Sequence, residues 1–363
     1  MTKIRTALIG CGRIALSKHV DAALSNSEKV EVVSVCDVIK ERAERIADTL
    51  ESRGARRPEI TTSFRHIFNR HDIDAVIVAT PSGTHYEISM LAMSHGKSVL
   101  VEKPMALSTH HMNDMINTAR SKNLKLGVCF QNRFNPPVQE LRKKIESGEF
   151  GQIFHGVISV RWNRNESYYR QAKWRGTWKE DGGVLMNQCT HGIDLLQWML
   201  GGKVRRVMGL IKNLNHNYIE AEDLGMGIVE FHNGSVGLIE GTSNTFPENL
   251  EEVLTIFGKK GTVKIGGLAV NRIEVWRFES ENTHPYMKLP DPETVYGSGH
   301  IALYRDFFNS LEADKEPCIT GEEGRKAVDI VLGMYLSSLT GEWVEFPFHF
   351  SIEQMGDMNK SGH

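Results

Sequence analysis

A short apolar run that breaks into a glycine turn constrains this chain more than any other feature. Residues 4–15 read IRTALIGCGRIA. Ile4–Gly10 has the pattern of a buried strand, and Arg13–Ala23 that of a helix. Between them Gly10, Gly12 and Ala15 make the spacing G-x-G-x-x-A. Two glycines there allow a tight turn and a close approach of backbone to a pyrophosphate, and the small third residue lets helix and strand pack closely. The helix start at Arg13 and Ile14 offers backbone N–H groups and the positive end of the helix dipole to a phosphate. An acid closes the next strand, Asp37 in VEVVSVCD (30–37). Its carboxylate suits a ribose 2′-hydroxyl and repels a 2′-phosphate, which favours NAD over NADP. Lys40 and Arg42 follow closely and soften that preference.

The turn opens a longer alternation. Lys40–Leu50 has apolar positions at helical spacing, and DAVIVAT (74–80), KSVLVEK (97–103) and LKLGVCFQ (124–131) read as further strands. Near-continuous Val/Ile/Leu runs fit parallel strands covered on both faces. After about residue 150 strand-like runs follow one another at Ile153–Trp162, Val204–Leu214, Gly225–Phe231, Ser235–Gly241, Val253–Phe257, Val263–Ile265 and Ile273–Phe278. HNGS (232–235) and GKKG (258–261) supply turn signals. Helices are expected at Val184–Leu200, Ile301–Ala313 and Glu322–Thr340. The expectation is an α/β chain in two parts. An N-terminal Rossmann-type doubly wound parallel sheet over 1–130 would bind NAD. A C-terminal α+β domain over 131–363, built on a largely antiparallel open sheet, would serve substrate binding and oligomerisation.

Bulk properties exclude several classes. A chain of 363 residues, 40% hydrophobic and 24% charged, can bury a large core without staples. The net charge of −2 and the short basic runs Arg53–Arg57 and Arg142–Lys144 give no footprint for nucleic acid. No stretch approaches a membrane-span length, so no membrane partner is expected. Cys11, Cys36, Cys129, Cys189 and Cys318 are odd in number and form no C-x-x-C. That argues against a disulfide framework and a zinc ribbon, so no metal is expected and reduced thiols in the cytoplasm are the simplest reading.

SVLVEKPMAL (98–107) carries the second strong signal. A buried-strand pattern ends on Glu102, Lys103 and Pro104. Alone, the acid and base read as a surface ion pair. Together with GCGRIA (10–15), ATPSGTHYE (79–87) and FQNRFNP (130–136), the stretch resembles the Gfo/Idh/MocA oxidoreductases over nearly the whole chain. The resemblance implies an NAD(P)-dependent dehydrogenase acting on CH–OH groups of sugars or cyclitols, commonly as a homodimer or homotetramer. It places Lys103 at the nicotinamide and the reacting carbinol, with Glu102, Thr80, Pro81, His85, Gln131 and Arg133 on the cofactor side. Oxidising an alcohol sends hydride to the nicotinamide, and a base must take the hydroxyl proton. A lysine in water titrates near about 10.4, so that duty calls for burial or a nearby positive charge.

In DGGVLMNQCTHGIDLLQW (181–198), His191 matches the family histidine. Asn187 stands where the family usually has aspartate. One helical turn apart, both can face one ligand. An amide binds a hydroxyl but takes no proton, so acid–base duty falls on Lys103 and His191. Asp194 would orient His191 or cap the packing. RWNRNESYYRQAKWRGTW (161–178) is rich in arginine and aromatics. Arg161, Arg164, Arg175 and Tyr168 are candidates for the substrate, since forks bind carboxylates and phosphates and rings stack on sugars or bases. Trp162, Trp174 and Trp178 are expected to pack. With LMNQCTHGIDLLQW (185–198) and YGSGHIALYRDF (296–307), this segment resembles a nucleotide-sugar subgroup, the UDP-N-acetylglucosaminuronate 3-dehydrogenases of surface-polysaccharide biosynthesis. The alternatives are a dehydrogenase of a free sugar or inositol and an NAD-binding regulator without catalysis. Lys103 and His191 argue against the regulator.

Overall fold

The computed structural model of the chain describes residues 3–279, 297 and 299–360, so Tyr296 and Ser298 of the 296–307 motif lie outside it. The strands are β1 (Ile4–Ile9), β2 (Val30–Cys36), β3 (Glu59–Thr61), β4 (Ala75–Val78), β5 (Ser98–Val101), β6 (Leu126–Val128), β7 (Ile153–Arg161), β8 (Val204–Lys212), β9 (Leu224–Phe231), β10 (Val236–Thr242), β11 (Glu251–Gly258), β12 (Gly261–Gly266), β13 (Arg272–Phe278) and β14 (Val344–Glu345). The helices are α1 (Val20–Ser25), α2 (Lys40–Ser52), α3 (Phe64–Phe68), α4 (His85–Ser94), α5 (Thr109–Ser121), α6 (Pro136–Glu146), α7 (Glu166–Arg170), α8 (Thr190–Leu200), α9 (His300–Glu312), α10 (Gly321–Thr340) and α11 (Glu353–Lys360).

The chain divides into two compact units, Met1–Gln131 with Ser298–Arg325 and Asn132–Gly297 with Lys326–His363. A single cut near residue 130 is expected from the sequence; the first unit instead takes back a late segment. The reason is α9, which buries Leu303, Tyr304, Phe307 and Phe308. It also receives hydrogen bonds from Asn26 to the Ile301 carbonyl and from Lys29 to Asn309 and Glu312.

In the first unit six parallel strands run in the order β3-β2-β1-β4-β5-β6. Every residue of β4 and β5 is buried, which explains their unbroken apolar pattern. The edge strand β3 escapes the sequence because EIT is short and partly exposed. The helix after the glycine turn starts with a wide, i→i+5 turn over Ala15–His19.

The second unit holds an eight-stranded sheet in the order β13-β12-β11-β7-β10-β9-β8-β14. Its pairs are antiparallel except β7 with β10. Gly156 and Gly192 let α8 sit close on β7: a Cβ at Gly192 would lie 2.7 Å from Ile158. The other face exposes Leu210, Met226, Ile228 and Leu238. Among the described residues no helix is long and apolar enough to cross a membrane. All five cysteines are free thiols, four of them buried.

Candidate active site

The first unit gathers its chemistry at the carboxyl edge of the parallel sheet, where open α/β folds bind ligands. Gly10 follows β1 with φ of +94°, and a Cβ there would stand 2.4 Å from the Ala79 carbonyl oxygen, so only glycine fits. At Gly12 a Cβ would meet nothing within 4 Å, which leaves the backbone open to close approach. Asp37 follows β2. Its Oδ2 accepts the Cys11 N–H at 2.8 Å and its Oδ1 the Ile39 N–H at 2.9 Å, pinning the carboxylate beside the glycine turn. Burial and Asp37 push the thiols of Cys11 and Cys36 up, Cys36 to about 11, so neither is a nucleophile. Arg13 is exposed and Ile14 half-buried at the start of the wide turn.

Two further turns are tied together. His85 is buried, with Nδ1 2.8 Å from the Pro104 carbonyl oxygen and Nε2 2.9 Å from that of Thr80. It thus bridges the turn after β4, which carries Thr80 and Pro81, to the turn after β5. Burial lowers its pKa. Thr84 donates to the Thr80 hydroxyl at 2.8 Å. Lys103 is half-buried at the end of β5, followed by a cis bond to Pro104. Gln131 is buried after β6, and a Cβ at Gly299 would lie 2.0 Å from its carbonyl oxygen.

Glu102 departs from the cofactor-side position that the resemblance implies. Its carboxylate turns inward, Oε1 lying 3.0 Å from His19 Nε2 and 3.6 Å from His300 Nε2. Burial alone would raise its pKa, but the hydrogen bond from His19 and the nearby His300 ring hold it well below the usual carboxylate value. The buried Cys129 thiol is pushed up by desolvation and by its hydrogen bond to Glu102. Donor atoms of His19, Glu102 and Cys129 all lie within 4.8 Å of one another. Hydrogen bonding to the Glu102 carboxylate accounts for that closeness.

In the second unit a wide turn over Leu185–Cys189 carries Asn187, and His191 follows in the first turn of α8. The Thr190 hydroxyl donates back to the carbonyl oxygens of Met186 and, at 3.3 Å, Leu185, competition that widens a helical turn. The Asn187 amide is held at both ends: its Nδ2 donates to Asp181 Oδ1, and its Oδ1 accepts from Gln188 Nε2 at 2.9 Å. Gln188 also reaches the Tyr168 hydroxyl at 3.0 Å and accepts from Arg164 Nε at 3.1 Å. Arg164 and Arg175 both lie over the Tyr168 ring, at 5.1 Å and 4.1 Å from its centroid. Trp162 and Trp178 are buried as expected, and Trp174 is half-buried.

Two other arginines are committed to carboxylates. Arg161 donates to Glu240 at 2.9 and 2.5 Å and to Glu251 at 2.5 Å, spanning β10, β7 and β11. Arg133 is buried and forms a bidentate pair with Asp194 at 2.7 and 2.6 Å, its guanidinium over Trp198. It therefore anchors α8, a contact the sequence does not display. Residues that sequence reasoning leaves without a role are His19, Cys129, Tyr304, Asp181, Gln188 and Glu222. The signal for Tyr304 is its i, i+4 spacing from His300; that for Asp181 is its place at the head of the 181–198 stretch.

Comparison with known proteins bears out the fold and the cofactor. A family model described as "Oxidoreductase family, NAD-binding Rossmann fold" matches residues 4–130, and one described as "GFO/IDH/MocA C-terminal domain" matches 138–264. The WlbA dehydrogenase from Bordetella pertussis, solved in complex with NADH and UDP-GlcNAcA, is 35% identical with a TM-score of 0.84, covering 96% of this chain and 100% of that one. Its counterpart from Chromobacterium violaceum, solved with the same ligands, is 36% identical with a TM-score of 0.85, covering 95% and 96%. The scyllo-inositol 2-dehydrogenase (NAD(+)) of Bacillus subtilis is 24% identical over 88% of this chain and 89% of its own length. The fold and the sheet-edge site define an NAD-dependent oxidoreductase with a Rossmann cofactor domain. The chain belongs to the Gfo/Idh/MocA family, dehydrogenases of sugar and polyol hydroxyl groups.

Proposed function

We propose that this protein oxidises the C3 hydroxyl of UDP-N-acetylglucosaminuronate with NAD, as a step in surface-polysaccharide biosynthesis. One observation carries the reading. The stack of Arg164 and Arg175 on Tyr168 is joined through Gln188 to Asn187, on the segment that holds His191. A cationic, aromatic surface continuous with a hydroxyl-binding amide suits a sugar bearing a carboxylate and a diphosphate. The likeness to two dehydrogenases solved with NADH and UDP-GlcNAcA supports it. Arg161, occupied by Glu240 and Glu251, serves the sheet in this reading.

The glycine turn at Gly10 and Gly12, with the helix start at Arg13 and Ile14, would hold the pyrophosphate. Asp37 would take the adenosine ribose hydroxyls, and Thr80, Pro81, His85 and Gln131 would shape the rest of the edge. When bound, NAD accepts the hydride that leaves the carbinol carbon. Lys103 removes the hydroxyl proton as the C–H bond breaks and the carbonyl forms. On the second unit Asn187, its amide fixed by Asp181 and Gln188, would bind a sugar hydroxyl, and His191 on the same segment would serve as a further hydrogen-bonding group.

The test measures NADH formation with UDP-N-acetylglucosaminuronate, UDP-N-acetylglucosamine, scyllo-inositol and a D-glucoside. The uronate should exceed the sugar lacking the carboxylate by about 100-fold in kcat/KM. Preference for scyllo-inositol or the free glucoside would establish the second reading, which the 24% relatives favour. Lys103→Ala should lose about a thousandfold in turnover while binding NAD normally. Better use of NADP than NAD would refute the role given to Asp37. The exposed strip of Leu210, Met226, Ile228 and Leu238 suits the expected homodimer or homotetramer, which light scattering checks.

A further inference from the structure

We propose that the buried cluster of His19, Glu102, His300 and Tyr304 is a positioning device for Lys103, acting from behind strand β5. This rests on the reading of Lys103 as the base. Glu102 is the link. Its Oε2 accepts the backbone N–H of Lys103 at 3.2 Å, while its Oε1 faces His19 Nε2 at 3.0 Å and His300 Nε2 at 3.6 Å. One carboxylate therefore grips the lysine backbone, the helical turn after the cofactor-binding glycines and the helix α9.

The histidine is itself fixed. His19 Nδ1 lies 2.7 Å from the Tyr304 hydroxyl. A neutral ring with its proton on Nε2 donates to Glu102 and accepts from Tyr304, so both nitrogens are satisfied. Tyr304 keeps its proton, because burial raises its pKa well above the usual value. His300 and Tyr304 stand one turn apart on α9, within the part of the 296–307 motif that cofactor chemistry does not explain.

The main chain is held on both sides of the lysine. The Glu102 N–H donates to the Val78 carbonyl at 2.9 Å, continuing the β4–β5 ladder, and His85 holds the Pro104 carbonyl at 2.8 Å. The backbone of Lys103 is thus bracketed by anchored neighbours. A buried carboxylate is costly unless paired, and a plain strand end would be served by an apolar residue. Charge at this place is a means of fixing one backbone N–H and the field beside it.

The test uses the full chain with NAD and the best sugar of the panel above. In Glu102→Gln, kcat should fall about 10- to 100-fold, as misplacement of a reacting group does, with the Kd for NAD by calorimetry within about twofold of wild type. The acidic limb of the kcat/KM profile should move to lower pH, since removing a nearby negative charge favours the deprotonated form of a base. A purely structural residue would leave that limb in place. The titratable groups facing Glu102 are His19, His300, Tyr304, Cys129 and the adjacent Lys103, with His85 contributing by charge, and the substitution retains all of them. Tyr304→Phe frees His19 without removing charge and should cost about 2- to 5-fold in kcat, again with NAD binding unchanged; it decides the matter if Glu102→Gln does not fold. An NAD Kd weakened tenfold or more at unchanged kcat would make Glu102 a cofactor ligand and overturn the proposal. So would wild-type kcat and pH profile in either variant. Lys103→Ala, run in parallel, separates the two claims. Retained turnover there sinks the base reading, whereas a dead Lys103→Ala beside a normal Glu102→Gln sinks only the positioning role.

Discussion

Glu102 in the first unit and Glu222 in the second are both buried glutamates, at 8% and 2% exposure, yet they ionise in opposite ways. Burial raises both. At Glu102, the hydrogen bond from His19 and the nearby His300 ring reverse the effect and keep the carboxylate charged. At Glu222, burial takes the pKa up to about 8. The Leu185 N–H and the Tyr335 hydroxyl, each at 2.9 Å, recover only part of the loss, and Asp181 repels the charged form. Burial therefore sets the cost of a charge, and the partners decide whether it is carried. The two acids also hold different things. Glu102 grips Lys103, whereas Glu222 holds the turn before Asn187 through both its carboxyl and its carbonyl, which accepts the Val184 N–H at 3.0 Å.

Stripping a partner from each should separate them most widely. His19→Leu leaves Glu102 buried without its main donor and should cost about 3–5 kcal/mol in urea unfolding at pH 7. Exchanging each acid for its amide should reverse the sign of the pH dependence. Glu222 has a folded pKa above its unfolded value of 4.5, so its stabilisation is complete below about 4.5 and is lost as pH rises through about 8. Glu222→Gln should remove that loss and gain on wild type by on the order of a few kcal/mol between pH 5 and pH 9. Glu102 has a lowered folded pKa, so its contribution is present above 4.5 and lost as pH falls further. Glu102→Gln should therefore be less stable than wild type at pH 7 and approach it in acid. Thermal melts across pH check both. Tyr335→Phe removes one donor from a neutral acid and should cost about 1 kcal/mol at pH 7, by urea unfolding. Arg161→Ala should change stability least, by less than about 1 kcal/mol, because its pair with Glu240 and Glu251 is partly solvated. A loss there as large as at His19 would mean that exposure does not govern these pairs.

The sheet edge was legible in the sequence because five of the six parallel strands, all but β3, end on a short signal. Gly10 to Ala15 follow β1, Asp37 follows β2, Thr80 to His85 follow β4, Glu102 to Pro104 follow β5 and Gln131 follows β6. A doubly wound sheet brings those ends to one edge, so the order of motifs along the chain is enough to assemble them. The commitments of the charged side chains were not legible. Arg133 and Arg161 look equally available in sequence, but Asp194 lies 61 residues from the first and Glu240 lies 79 from the second. The wide turns at 15–19 and 185–189 were hidden for a related reason, since helical periodicity survives one loosened turn.

Local pattern by itself determined the Rossmann sheet, the NAD cofactor and the run of mostly antiparallel strands. Each rests on residues near one another in the chain, where spacing maps directly onto geometry. Tertiary structure alone decided that the segment 298–325 returns to the first unit, that Glu102 faces inward and that Glu222 stays neutral near pH 7. Those outcomes depend on desolvation and on partners such as His19 and Tyr335, which only the folded chain brings within hydrogen-bond reach.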